Sequence, residues 1–280
     1  MPDNKIESDP SDTRAAKRKL SFGPALLVTA AFIGPGTVFT ASKTGAVFGY
    51  TLLWAVLFAV FAAIVLQEMS ARLGVISGAG LSDAIRTGFD NVVVRWAMLI
   101  LVLAAILFGN AAYQTGNLVG AATGLDVLTG VNFKTWVVVL AVVALIVIWI
   151  GRLDLLQYLL TALVGIMSLL FIFAAFICKP DLGAIGSGLV PTSLPEGADW
   201  KLIVGLIGTT VVPYNLFLHA SSAAEKWHGD QTVGLTDDQA KTAIRESRLD
   251  TVIALSIGGI ITASILITAA AAFSLSLIHI

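Results

Sequence analysis

About seven stretches of this chain run for roughly 20 residues with scarcely a charge, the length an α-helix needs to cross the hydrocarbon of a bilayer. They cover approximately residues 22–50, 51–73, 95–123, 134–151, 155–178, 200–225 and 250–274. Inside lipid every backbone N–H and C=O must find its partner within the segment, so stretches of this kind dictate helices. The expected fold class is therefore all-α, a polytopic membrane protein. Composition agrees: 57% hydrophobic and 12% charged residues with a mean hydropathy of +0.89, against roughly 45–50% and 25% in soluble domains. The net charge of -1 removes the electrostatic case for a nucleic-acid partner. Cys178 is the single cysteine, which rules out an internal disulfide scaffold. The first 20 residues are polar, and the apolar run behind them is too long for the core of a cleaved signal peptide.

Orientation follows from the basic residues, which stay preferentially on the cytoplasmic side. With the N-terminus inside, thirteen of the 17 Lys and Arg fall on the cytoplasmic side, among them Lys17, Arg18, Lys19, Arg72, Arg86, Arg95, Arg152, Lys226, Arg245 and Arg248. Lys134, Lys179 and Lys201 fall outside, and Lys43 lies within the first span. Residues 1–19 then form a cytoplasmic tail of a multi-pass protein of the plasma or inner membrane. Residues 226–249 form a cytoplasmic loop, part helical, with Thr236 as a helix N-cap ahead of Asp237, Asp238 and Gln239.

Two spans carry helix breakers at mid-membrane depth: Gly34, Pro35 and Gly36 in the first, Gly208 and Pro213 in the sixth. A break in hydrocarbon frees polar backbone groups, at a cost of several kcal/mol each unless protein, water or cargo satisfies them, so it normally lines a cavity. Pro213 alone also fits a plain kink in a packed helix, whereas two glycines flanking Pro35 abolish helix propensity on both sides. Interrupted segments at corresponding places in two halves point to a transporter built from inverted repeats.

The residues around these breaks resemble a known family. The run Gly23-Pro24-Ala25-Leu26-Leu27-Val28, then Ile33-Gly34-Pro35-Gly36-Thr37, then Gly45 to Tyr50 and Leu53-Trp54, with Gln67, Ser70, Ala71, Arg72, Leu73 and Gly74 behind it, is similar to the first two helices of the Nramp family of proton-coupled divalent-metal transporters. Thr210-Val211-Val212-Pro213-Tyr214-Asn215-Leu216-Phe217-Leu218-His219 resembles its sixth helix. The resemblance implies a leucine-transporter-type inverted-repeat fold over residues 20–274. The first repeat is 20–178 and an incomplete second is 200–274. Helices one and six are broken, with substrate bound between them. The positions it implies for substrate are Gly34, Pro35, Gly36, Thr37, Thr209, Val212, Tyr214 and Asn215. Those it implies for coupling or a polar pathway are Gln114, Asn117 and His219.

The same comparison exposes departures. Where the family reads Asp-Pro-Gly-Asn this chain has Gly34 and Thr37, and where the family reads Met-Pro-His it has Val212-Pro213-Tyr214. The third-helix Asp and Glu of many members become Gln114 and Asn117, which do not titrate. No metal-ligating set and no cofactor is assigned. By resemblance the cargo is a divalent metal ion of the manganese or iron type. The surviving chemistry, peptide dipoles and neutral side chains, also suits a neutral or zwitterionic solute such as an amino acid.

Other residues admit two readings each. His219 is either a titrating group or a neutral imidazole bonded to a neighbouring helix. Lys43 either meets an anion or snorkels to the outer interface. Glu68 pairs with Arg72 at i+4, and His228 at a loop edge carries no assigned role. An enzyme would want paired carboxylates, a histidine cluster or an activated serine at depth, and this chain offers one Glu68 and one His219; a sensor that binds without cycling is a further alternative. Gly45 with Gly49, and Gly116 with Gly120 and Gly124, follow the small-xxx-small pattern of close helix approach. The six tryptophans fall mostly near predicted span ends. Gly186-Ser187-Gly188 and Pro191 to Pro195 mark an outer loop.

A core of five plus five helices needs three more spans than are found here. The terminal Leu275-Ser276-Leu277-Ile278-His279-Ile280 back-translates as CTG TCT CTT ATA CAC ATC, similar to a transposase end sequence used in library preparation. The expectation is that residues 275–280 are adapter-derived and that the natural frame continues.

Overall fold

The computed structural model describes residues 33–151, 153–191, 200–229 and 235–277. The tail 1–19, the first half of the first span, Arg152 and residues 192–199, 230–234 and 278–280 lie outside them. All regular elements among the described residues are helices: α1 (Pro35–Phe48), α2 (Leu53–Ser77), α3 (Leu81–Thr87), α4 (Val92–Thr129), α5 (Phe133–Ile150), α6 (Leu153–Ile177), α7 (Leu182–Gly188), α8 (Trp200–Gly208), α9 (Pro213–His228) and α10 (Asp237–Leu277). Five stretches are long and apolar enough to cross a membrane: α2, α4, α5, α8 with α9, and most of α10. A sixth arises if Thr161–Ile177 and α7, bent by 119°, count as one span.

Local chemistry sets the ends. The Asn91 side chain accepts from Val93 N–H (2.9 Å) and Val94 N–H (3.3 Å) to start α4, satisfying donors that have no partner inside the helix. Thr236 and Gln239 form a reciprocal capping box at α10: Thr236 N–H donates to Gln239 Oε1 (3.0 Å) and Gln239 N–H to Thr236 Oγ1 (3.4 Å). The expected cap at Thr236 is thus present, and the helix it starts runs on without interruption into the last span. Gly78 and Gly130 close α2 and α4 at φ 64° and 70°, where a side chain would be strained.

The core lies among α1, α2, the α8–α9 pair and α10. Ile33, Leu52, Leu53, Val56, Leu206, Leu255, Ile265 and Leu266 are its buried centre. Small residues bring the backbones together. A Cβ on Gly45 would collide with the Leu266 carbonyl of α10, and one on Gly74 with the Ala220 carbonyl of α9. Ser70 on α2 donates to the Leu216 carbonyl on α9. By contrast α4, α5 and α6 turn apolar side chains outward, with Phe108 72% and Trp149 90% exposed, a surface that water would not tolerate at this extent.

Several small expectations need correction. Among the described residues a Cβ on Gly49 meets nothing within 4 Å, and Gly49 ends α1 at φ 58°; one on Gly124 likewise meets none of them. Gly186-Ser187-Gly188 belong to α7 rather than to a loop, with Gly188 lying against the Tyr50 carbonyl. His228 is a tie between helices: its Nε2 lies 2.8 Å from the Val75 carbonyl and its ring sits under Gly78. Trp54 and Trp227, each at a helix end, also pack onto the two hydrophobic clusters. Glu68 does bond Arg72 (2.7 Å), and it also holds Arg248 of α10 (2.9 Å), a partner 180 residues away.

Candidate functional site

Each of the two breaker motifs starts a helix in the same way. Gly34 is extended (φ -121°, ψ -179°) and Pro35 opens α1; Val212 is extended (φ -103°, ψ 123°) and Pro213 opens α9. Proline suits the first helical position because its φ is already helical and its missing N–H would have had no partner there. Upstream of Pro213 the chain leaves α8 through a turn at residues 209–212. Thr209 N–H reaches the Gly205 carbonyl, and Thr210 and Val211 N–H both reach the Ile207 carbonyl. Pro213 has no N–H for the Thr209 carbonyl, and Asn215 N–H goes to the Val212 carbonyl (3.2 Å) instead of back to Val211. The carbonyls of Thr209 and Val211 therefore lack their helical donors. The sixth span is interrupted at this point. For the first span, the half before residue 33 lies outside the described residues.

The two helix starts meet across α4. Gly36 N–H donates to Asn117 Oδ1 at 3.1 Å, so the first turn of α1 is capped from another helix 81 residues on. The approach is close enough that a Cβ on Gly120 would stand 2.5 Å from the Pro35 carbonyl oxygen, and one on Gly36 3.0 Å from the Gly116 carbonyl carbon. Thr37, fully buried, shares a hydrogen bond with Tyr113 of α4. Tyr113 in turn packs edge-on against Tyr214 of α9, centroids 6.2 Å apart at 78°.

Two adjoining cavities result, with Tyr113 in the wall of both. The first, of about 390 Å³, lies between Gly36 and Thr40 of α1, Gly109 to Gly116 of α4, and the break itself: Gly205, Gly208, Thr209, Val211, Val212 and Pro213. The second, of about 280 Å³, is lined by Asn110, Tyr113, Gln114, Asn117 and Tyr214. None of these side chains carries a formal charge. Among the described residues no three His, Cys, Asp or Glu gather in a group suited to a metal ion. The donors on offer are hydroxyl, amide, phenol and peptide oxygens, all hard ligands.

The structure brings most of the expected site together and leaves part of it out. Gly36, Thr209 and Val212 line the first cavity, and Gln114, Asn117 and Tyr214 the second. Gly34 and Pro35 form the edge against α4, and Thr37 stands behind Tyr113. Asn215 lines neither cavity. It is wholly buried, and neither of its side-chain polar atoms has a partner among the described residues. His219 stands apart from Gln114 and Asn117: its Nδ1 lies 2.8 Å from Gln67 Oε1 on α2, and its Nε2 is buried without a partner among the described residues. Of its two readings, the bonded imidazole matches this geometry. Lys43 is exposed on α1.

Asn110 and Tyr113 were not legible as site residues from the breaks alone. Their signal is spacing. Asn110, Tyr113, Gln114 and Asn117 fall at i, i+3, i+4 and i+7 of an otherwise apolar span, a single polar stripe on one face of α4, and polar stripes inside membrane helices turn toward cavities or partner helices.

A family model described as natural resistance-associated macrophage protein-like, Nramp, matches residues 25–279. The chain belongs to the Nramp family. Among its Nramp relatives, a protein named divalent metal cation transporter MntH from Yersinia pestis (strain Pestoides F) is 33% identical over 271 residues, 95% of this chain and 62% of that one. A protein of the same name from Deinococcus radiodurans is 31% identical over 266 residues, 93% and 58% of the two chains. The chain thus spans about six tenths of the length of these Nramp relatives. A crystal structure of the Eremococcus coleocola manganese transporter with an aromatic bis-isothiourea compound superposes with a TM-score of 0.71 at 24% identity, covering 95% of this chain and 54% of that one. A mutant of the same transporter gives 0.68 at 25% identity, with 89% and 51% covered.

Proposed function

We propose that the chain forms the cargo-binding part of a secondary membrane transporter and that its cargo is a divalent metal ion. Family membership and the names of the MntH relatives support the cargo class. One observation carries the site: two helix starts of identical construction, Gly34-Pro35 and Val212-Pro213, flank a cavity at a helix interruption. Helix N-termini and unpaired carbonyls present partial charges of both signs there. On this reading Gly34, Pro35, Gly36, Thr37, Thr209, Val212 and Tyr214 surround the cargo, with Asn215 behind them. Gln114 and Asn117 form a polar path along α4, and His219 braces α9 on α2. The N-terminus is cytoplasmic by the distribution of Lys and Arg, and the partner of the apolar outer faces is lipid.

A second reading rests on a separate observation. Both cavities are lined without a formal charge, and a divalent ion needs anionic or several strong oxygen ligands to offset dehydration. A neutral or zwitterionic solute needs none. Titration calorimetry with manganese on the purified protein, paired with liposome uptake of manganese and of a panel of small amino acids, separates the two. Micromolar manganese binding with uptake is the expected result. Saturable amino-acid uptake without manganese binding transfers the assignment to the neutral solute, and no uptake of either overturns transport.

A further inference from the structure

We propose that Asn117 sets what the cavity between α4 and Tyr214 of α9 accepts, because its amide occupies the space that a side chain at position 34 would fill. This rests on the placement of cargo given above and deepens it. A Cβ built on Gly34 stands 2.8 Å from Asn117 Oδ1, 3.5 Å from its Cγ and 3.7 Å from its Nδ2; one built on Gly36 stands 3.1 Å from the same oxygen. Real Cβ contacts do not come as close as 2.8 Å, so a side chain at 34 requires the Asn117 amide to leave its present place. The amide is also held in place, since Oδ1 accepts the Gly36 N–H at 3.1 Å. That bond supplies the N-terminal turn of α1 with the acceptor that its N-cap, a glycine, cannot give.

Three consequences follow from one geometry. Gly34 and Asn117 are a matched pair rather than two independent replacements. The polar group offered at the start of α1 comes from α4, and it is a neutral amide in the wall of the 280 Å³ cavity, next to Gln114 and Tyr113. A carboxylate restored at position 34 has room only if the Asn117 amide gives up its bond to Gly36 N–H or residue 117 is shortened, so an anionic ligand is disfavoured there for a steric reason.

The test is a double-mutant cycle with two readouts. In detergent, Gly34→Ala is expected to lower the melting midpoint by several degrees in the parent and to leave it unchanged in an Asn117→Ala background. An equal drop in both backgrounds overturns the pairing. For cargo, manganese is the probe. Gly34→Asp alone is expected to bind it no better than the parent, and Gly34→Asp with Asn117→Ala at least about tenfold better, the gain of one charged ligand. A Gly34→Asp single variant that gains as much as the double overturns the steric exclusion. Melting-point coupling without any manganese gain in the double variant overturns the selectivity role of Asn117. Failure of the transport reading itself is a different result: absence of uptake by the parent, with the melting-point coupling intact.

Discussion

Replacing Gly45 with alanine is expected to force α1 away from α10. A Cβ at Gly45 collides with the Leu266 carbonyl and lies 3.0 Å from the Ala270 nitrogen and 3.1 Å from the Ala269 Cβ. Two of those three atoms are backbone of a continuous helix, so no rotamer change relieves the contact. The helices must part by roughly 1 Å, and a gap of that size forfeits a quarter to a half of each dispersion contact it opens. The seam that opens holds Ala41, Thr44, Leu266 and Ala270, each at most 1% exposed. Overpacking of this kind costs about 1–3 kcal/mol, and alanine's better helix propensity returns up to about 1 kcal/mol. With the full propensity gain the net loss is up to about 2 kcal/mol, or as much as roughly 8 °C in melting midpoint at the scaling of domains near this size. Gly124→Ala is the matched control, because a Cβ there meets nothing within 4 Å among the described residues and the propensity gain acts alone. Heating in detergent followed by fluorescence-detected size exclusion reads both. A Gly45→Ala midpoint at or above that of Gly124→Ala refutes the backbone-contact argument.

Thr236→Ala removes half of the capping box at α10 and should cost about 1 kcal/mol; hydrogen exchange at residues 237–240 would quicken while the membrane part of α10 stays protected. Glu68→Gln leaves Arg72 and Arg248 without their shared carboxylate. Since Glu68's side chain is only 17% exposed while both arginines are half exposed, the loss should be about 1 kcal/mol after screening. It should shrink as salt is raised, and a loss that ignores salt would argue against an ionic origin. Asn215→Leu removes two buried polar atoms that have no partner among the described residues, so the protein should gain about 1–3 kcal/mol in stability. On the proposed reading it should lose cargo uptake at the same time, and uptake at the parental rate would exclude Asn215 from the site.

Much of the fold was readable because lipid enforces a simple rule. The long apolar runs gave α2, α4, α5 and α6 to within a few residues at most ends, whereas the helix of the last run, read at 250–274, starts earlier, at the Thr236 cap assigned to the preceding loop. The breakers at Pro35 and Pro213 were found because a proline that opens a helix carries its own φ. Glu68 with Arg72 was visible for a similar reason, both residues lying on one turn of one helix. What the spacing along one helix could not reveal was the second arginine, Arg248, or the bond from His228 to Val75, since each joins residues more than 150 positions apart. Gly49 and Gly124 matched a packing pattern yet meet no neighbour among the described residues, because that pattern states only what a helix permits and not which neighbour arrives.

By itself the sequence determined that this protein is a bundle of membrane helices, that two of them open on a proline, and that the family's ionisable groups at those openings are gone. Those are properties of the chain against its solvent, decided locally by hydropathy and by the covalent limits of proline and glycine. Only the tertiary structure decided that the amide of Asn117 caps α1 and fills the room beside Gly34, that Tyr113 rather than Thr37 faces the hollow, and that His219 turns to Gln67. These depend on which helices come within a few ångströms of each other, a distance that small residues allow and that the packing of the whole bundle fixes.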